Sequence, residues 1–418
     1  MITKLCMIMI ALWPIYEVIQ GFVTGGETSK IITNIASIFI ILAIAYLFLL
    51  RGFPSRLLVH CSIMFAALVA LIFYRLTVNG YGLRNVVFDL SPLVRGLGLF
   101  VAVFMFMELG LRKHGETFAR RFHVLNWTFI AATILFSAVT GVGLATYEKF
   151  EAGSKFFFPA NNELTFVFAL STLVLVIMAK TIMVRVAVLV SSVIVLLLIG
   201  TKSGFGVLAL GIVLIAYFEL SGRVGILGRY CLLAMVCFAM LFALTNVKWL
   251  TDAFVDGLLA GSAGAEKLAE KIEYLGVYSA LLSERDVLAH KAISAFMEGG
   301  TLDKLLGLGF SNYVAQFTYY ESIRFSEIDG LDILGGWGIL GILAYIGWGL
   351  AIIRYGNIKV HRGVSQYNFA GVVAFLAIVA GNAAGHVFFF SYPMLVLALA
   401  VRVTIPNRMQ FEGKECQV

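Results

Sequence analysis

Charge is what this sequence has least of. Only 13% of its 418 residues are Asp, Glu, Lys or Arg, about half the share of a soluble domain. A chain so poor in charge cannot clothe a water-soluble enzyme or binding module of this length, and those classes are excluded. Cysteine is scarce as well. Cys6, Cys61, Cys231, Cys237 and Cys416 are odd in number and lack metal-ligand spacing, which excludes a zinc module and a disulfide framework. No stretch alternates apolar and polar residues with period two, so an outer-membrane barrel is excluded too. The net charge of +7 carries no nucleic-acid signature, because the basic residues sit in short loops between apolar runs. There they orient a membrane protein and do not serve a phosphate backbone.

What the chain does have is hydrophobicity, at 61% of residues. Only helices satisfy their own backbone hydrogen bonds in lipid, and each crossing takes about 20 apolar residues. The expected fold is therefore an all-α polytopic membrane bundle, one integral domain over residues 1–418. Spans are expected at 5–22, 31–50, 57–76, 92–111, 124–143, 162–180, 186–200, 203–220, 231–247, 332–353, 368–385 and 387–403, twelve in all. The first run lacks a small-residue cleavage site and reads as a span, not a cleaved leader. With the N-terminus in the cytoplasm, the inner segments hold 17 Lys and Arg against 7 in the short outer ones, which puts both termini and the 112–123 loop inside. Acidic residues divide the other way, with 18 of the 24 outside. Most of these lie in residues 248–330, a long outer loop before the tenth span. Loops of that length usually carry function.

The long loop holds two helical patterns. Leu268, Ile272 and Leu275 share a face opposite Glu266, Lys267, Glu270 and Lys271, the pattern of a helix lying on a membrane surface. A second helix starts near Ser283, where Ser283-x-x-Asp286 matches a capping box. It leaves Arg285 in the first turn, where the helix dipole disfavours a cation. Gly307-Leu308-Gly309-Phe310 follows as a turn. Tyr319 and Tyr320 offer aromatic faces that suit an interfacial belt or a sugar platform. Gly336-Trp337-Gly338-Ile339-Leu340-Gly341 spells a dinucleotide fingerprint, but no strand precedes it, so its glycines read as close helix packing, as does Gly381-x-x-x-Gly385.

Polar groups gather at the outer ends of spans. Arg95 lies about one turn inside the fourth span, and Lys202 sits in the Thr201-Lys202-Ser203-Gly204 hairpin. Arg285, Arg324, Glu327, Asp329 and Asp332 flank the long loop, and His386 joins the last two spans. Snorkelling accounts for Arg75 and Arg84. As a group the others suit an anionic lipid headgroup beside a carboxylate base, since cations stabilise phosphate charge and a carboxylate takes a hydroxyl proton. Asp329, ahead of Glu327, is the candidate base, with an N-cap role for Asp329 or Asp332 as the alternative, and His386 is next in line.

In their order and spacing these motifs resemble the superfamily of Wzy-type O-antigen and capsular polysaccharide polymerases and WaaL-like O-antigen ligases. The resemblance covers the C-terminal 60% or so of the chain and runs through Asn161-Asn162-Glu163, Thr201-Lys202-Ser203-Gly204, Ser283-Glu284-Arg285, Leu306-Gly307-Leu308-Gly309-Phe310, Glu327-Ile328-Asp329 and Gly385-His386. It implies a GT-C-like fold and a metal-independent, inverting glycosyltransferase without cofactor. Its substrates would be undecaprenyl-diphosphate-linked glycans at the periplasmic face of the bacterial inner membrane. A flippase and a chain-length regulator are the implied partners, besides membrane lipids. The family's phosphate-binding arginines correspond to Lys202 and Arg285, with Arg95 or Arg324 assisting and Asn161 nearby. Lysine at 202 departs from the usual arginine and loses its bidentate fork. Ligases have His-Asn before the Gly-rich helix, where this chain has Glu327-Ile328-Asp329, and that favours a repeat-unit polymerase. A ligase that transfers the glycan to a lipid core or protein stays open. So does a lipid-linked oligosaccharide flippase, which should carry charges near the bilayer midplane and show internal repeats.

Overall fold

The structure, a computed structural model, describes residues 2–25, 31–51, 56–78, 82–111, 114–147, 152–221, 285–315, 326, 328–356, 369–383, 385 and 387–404. Of these, 87% are helical. In chain order the helices are α1 (Ile2–Ala11), α2 (Trp13–Thr24), α3 (Ile31–Arg51), α4 (Arg56–Val78), α5 (Leu83–Glu108), α6 (Gly115–Thr140), α7 (Asn161–Met178), α8 (Ile182–Ile199) and α9 (Lys202–Ser221). They continue with α10 (Arg285–Glu298), α11 (Thr301–Leu306), α12 (Phe310–Ala315), α13 (Asp329–Gly356), α14 (Phe369–Ala383) and α15 (Ser391–Thr404).

Five of the described helices, α5, α6, α7, α8 and the 329–354 stretch of α13, are long and apolar enough to cross a bilayer. The protein is membrane-embedded. The expected span at 231–247 and the surface helix at 265–275 lie outside the described residues.

The centre of the bundle is α15. Every side chain from Ser391 to Val403 is buried, wrapped by α3, α5, α6, α7 and α14. A helix that is apolar all round has no face to give to lipid, and this one is surrounded by protein. By contrast, α8 keeps Ile182, Met183, Val184, Val190 and Ile194 exposed, as a lipid-facing helix does.

Several expected boundaries move. The first run is two helices bent by 57° at Leu12, because Pro14 in the first turn of α2 has no N–H and crowds the carbonyl four residues earlier. The fourth span starts at Leu83 and runs through Pro92, with a π-helical turn over Val94–Gly98 directly after it. Arg95 is consequently about three turns inside that helix. His123 is no loop residue: α6 begins at Gly115, and His123 is fully buried within it.

The sharpest departure is in α13, where Gly338 adopts φ 69°, ψ −161° and breaks the helix. A methyl group at Gly341 would come 3.1 Å from Ile333, a residue about 12 Å away in a straight helix. Asn382 likewise meets both Gly330 and Tyr345. The segment before Gly338 therefore folds back against the segment after it. The break strips the Gly335 and Gly336 carbonyls of their intrahelical donors, and the Leu308 and Gly309 amides replace them at 2.8 and 3.0 Å. Gly307 and Gly309 reach them with φ of 79° and 81°, where a side chain would be strained. The glycines read as helix packing admit a loop.

A two-stranded antiparallel hairpin, β1 (Leu144–Tyr147) and β2 (Ala152–Phe156), joins α6 to α7. Two strands this short carry too little period-two pattern to be told from a loop in the sequence.

Candidate functional site

The junction of α14 and α15 gathers three of the predicted groups or their immediate neighbours. The Phe388 amide donates to Asp329 Oδ2 at 2.8 Å. The Phe388 carbonyl lies against Gly96, the residue after Arg95, so closely that a Cβ there would fall 1.8 Å from the oxygen. On the α14 side, Arg285 Nη1 donates to the Ala383 carbonyl at 2.6 Å, satisfying a C-terminal carbonyl that the helix leaves open. Gly381 makes room for Asp329, since any Cβ would meet its Oδ2 at 2.3 Å. The Asn382 side-chain carbonyl accepts the Gly330 amide at 3.0 Å, and α13 is thereby capped from a neighbouring helix. Asp329 is fully buried, so the oxygen engaged with Phe388 holds the junction in place.

Asp332, also fully buried, accepts the Ser326 amide at 2.8 Å. That holds Ser326 against the first turn of α13. Tyr313 on α12 lies beside Asp332 and Ser326; burial, reinforced by the Asp332 charge, pushes its phenol well above the ordinary tyrosine range. Next to it the Ser311 amide donates to buried Asp89 of α5 at 2.8 Å. α12 is thus built into the bundle.

A second polar cluster lies where α7 and α9 begin. Half-buried Arg95 donates from Nε to the Ser91 carbonyl at 3.3 Å and interacts electrostatically with Glu163 in the first turn of α7. Ser203 Oγ donates to Asn162 Oδ1 at 3.1 Å. Asn161 Nδ2 donates to the Thr146 carbonyl of the hairpin at 3.0 Å. Lys202 supplies the first residue of α9. Arg95 and Gly96, adjacent in sequence, tie this cluster to the junction of α14 and α15. Tyr319, Tyr320, Arg324, Glu327 and His386 lie outside the described residues, as does the side chain of Lys202. Among the described residues no three His, Cys, Asp or Glu side chains are placed to share a metal ion.

Sequence reasoning missed a polar chain inside the bundle. Tyr392 OH donates to Asn126 Oδ1, Asn126 Nδ2 donates to Ser171 Oγ at 2.9 Å, and Ser171 Oγ lies 3.2 Å from His123 Nδ1. Glu17, 1% exposed, accepts from Trp13 Nε1 at 3.2 Å and acts electrostatically on Tyr392. The signal was present in the spacing: Trp13, Glu17 and Gln20 share one helical face, as do His123 and Asn126.

No family model matches the chain, and no curated protein matches it.

Proposed function

We propose that this chain is a metal-independent membrane glycosyltransferase that polymerises undecaprenyl-diphosphate-linked oligosaccharide repeat units at the periplasmic face of the inner membrane. It would act from a twelve-span, GT-C-like bundle with both termini in the cytoplasm. The observation that carries the reading is the junction of α14 and α15, where Arg285 donates to the Ala383 carbonyl, Asp329 accepts the Phe388 amide, and the Phe388 carbonyl lies against Gly96, next to Arg95. Cations and carboxylates this close to one apolar bundle end match what transfer from a lipid diphosphate requires.

In that reaction the bond from the anomeric carbon to the diphosphate oxygen breaks as the acceptor hydroxyl bonds to the same carbon from the opposite face. Negative charge grows on the leaving diphosphate, opposite Arg285, Lys202 and Arg95, whose charges lower the barrier. The hydroxyl proton passes to a carboxylate. Because Asp329 is buried and committed to the Phe388 amide, Glu327, two residues earlier in the sequence, is the base in this reading. The test is extension of purified lipid-linked repeat units by reconstituted protein: a ladder of products supports the reading, and unextended substrate opposes it.

One observation favours a second reading, a lipid-linked oligosaccharide flippase. The buried chain from Glu17 to His123 puts ionisable groups inside the bundle, where transporters keep theirs. Movement of labelled lipid-linked oligosaccharide across protein-containing vesicles without chain extension would select it.

A further inference from the structure

The surface of α10 and α11 keeps large apolar side chains in the open. Ile293 and Met297 lie one turn apart on α10, and Leu302 and Leu305 one turn apart on α11; all four are exposed, Met297 by 62% and Leu302 by 52%. Another side of α10 packs inward, through Leu288 and Ala292 against Tyr313 and Val314. Lys291, also exposed, falls about 160° around the helix from Ile293. The open surface is thus divided into an apolar strip and a polar one.

The depth of this surface in the membrane follows from α13. Its unbroken piece from Ile339 to Gly356 is about 27 Å long, close to the roughly 30 Å of hydrocarbon that a crossing helix must span. That piece keeps Leu340, Leu343 and Leu350 exposed, as a lipid-facing helix does, and carries the basic Arg354 in its last turn. The break at Gly338 therefore lies at one edge of the hydrocarbon. α11 sits on that edge, because a Cβ at Gly338 would meet the Leu305 carbonyl at 2.5 Å. Leu305 and Ile339 are exposed on either side of the contact, so the lipid-facing stripe of α13 continues into the apolar strip of α11 and α10. Charge does not choose the occupant: α10 and α11 balance Arg285, Lys291 and Lys304 against Asp286, Glu298 and Asp303. Burial of apolar side chains, and not attraction to anionic headgroups, is what such a surface offers a membrane.

We infer that α10 and α11, joined at Gly299–Gly300, form an amphipathic helix pair that dips its apolar strip into the bilayer leaflet bordering the Gly338 break and leaves its polar strip in water. The inference holds whether the bundle extends a glycan or moves one.

Its test uses the full chain with its five native cysteines replaced by alanine, a fluorophore on Met297→Cys, Leu302→Cys or Lys291→Cys, and phosphatidylcholine vesicles. All three positions are exposed, where substitution is tolerated. A lipid nitroxide near the headgroup end of the acyl chain should quench the labels at 297 and 302, as it quenches a reference label on Leu343→Cys. Acrylamide in the water should quench the label at 291 at least about threefold more steeply than those two. Adding phosphatidylglycerol to the vesicles should leave the pattern unchanged. Labels at 297 and 302 that acrylamide reaches as freely as the one at 291 put the strip in water and overturn the inference. Labels that neither quencher reaches are covered by protein, whether another segment of this chain or a second copy, and overturn it too. Lipid quenching that depends on phosphatidylglycerol makes the attachment electrostatic and overturns it as well.

Discussion

The two polar regions of this bundle solve different problems. Around the junction of α14 and α15 the polar groups carry formal charge, and each is spent on backbone: Asp329 on the Phe388 amide, Asp332 on the Ser326 amide, Arg285 on the Ala383 carbonyl. At the hairpin the groups beside Arg95 and Glu163 are amides and hydroxyls that join elements to one another, Ser203 to Asn162 and Asn161 to the Thr146 carbonyl. A broken helix and a tight turn leave backbone groups that must be paired in a dry interior, and a charged side chain pairs them most strongly. The hairpin pairs its own backbone, and its Ser154 hydroxyl donates to Ser137 of α6.

The largest effect should come from removing the anchor of the charged region. Asp329→Ala strands the buried Phe388 amide and leaves a void, at a cost of about 3 kcal/mol or more by thermal unfolding in detergent. Asp329→Asn keeps an acceptor for that amide and should cost about 1 kcal/mol. An Asp329→Asn protein that is stable, binds lipid-linked substrate and cannot extend it would return the role of base to Asp329. Gly338→Ala comes next, at about 2 kcal/mol, because alanine is strained at φ 69° and its Cβ meets the Gly307 backbone 2.4 Å away. Arg285→Ala should cost only about 1 kcal/mol of stability, since the side chain is half-buried and loses one hydrogen bond. It should lower polymer yield about 100-fold, the usual loss for a group that stabilises transition-state charge. A loss of stability matching the loss of polymer would make Arg285 a helix cap and nothing more.

The smallest effect on the molecule, and a separate check on its orientation, is cysteine labelling at Gly261 and Lys359. The charge asymmetry predicts labelling of these positions from opposite sides of the membrane. Labelling from the same side would dissolve the comparison, since the charged region would no longer face its substrate.

What the sequence made legible follows from how each feature is encoded. Long apolar runs encode helices directly, so α7, α8 and α9 lie near their expected bounds. Arg285, Asp329 and Arg95 stood out because a charge next to hydrocarbon is costly wherever it points. Their partners did not stand out, because the Phe388 amide and the Ala383 carbonyl are backbone groups that no side-chain pattern marks. The fold-back at Gly338 was hidden for a similar reason: a glycine in an apolar run looks the same whether it admits a helix or a loop. Glu17, His123 and Asn126 lie within apolar runs, where their spacing along a helical face is the one signal they give.

Extension of undecaprenyl-diphosphate-linked repeat units by purified, reconstituted protein tests the central claim most directly. The account predicts a ladder of lengthened glycans from wild type, and bound but unextended substrate with Glu327→Gln. A wild-type protein that never extends the repeat unit, or Glu327→Gln and Asp329→Asn variants that both extend it at the wild-type rate, would contradict it.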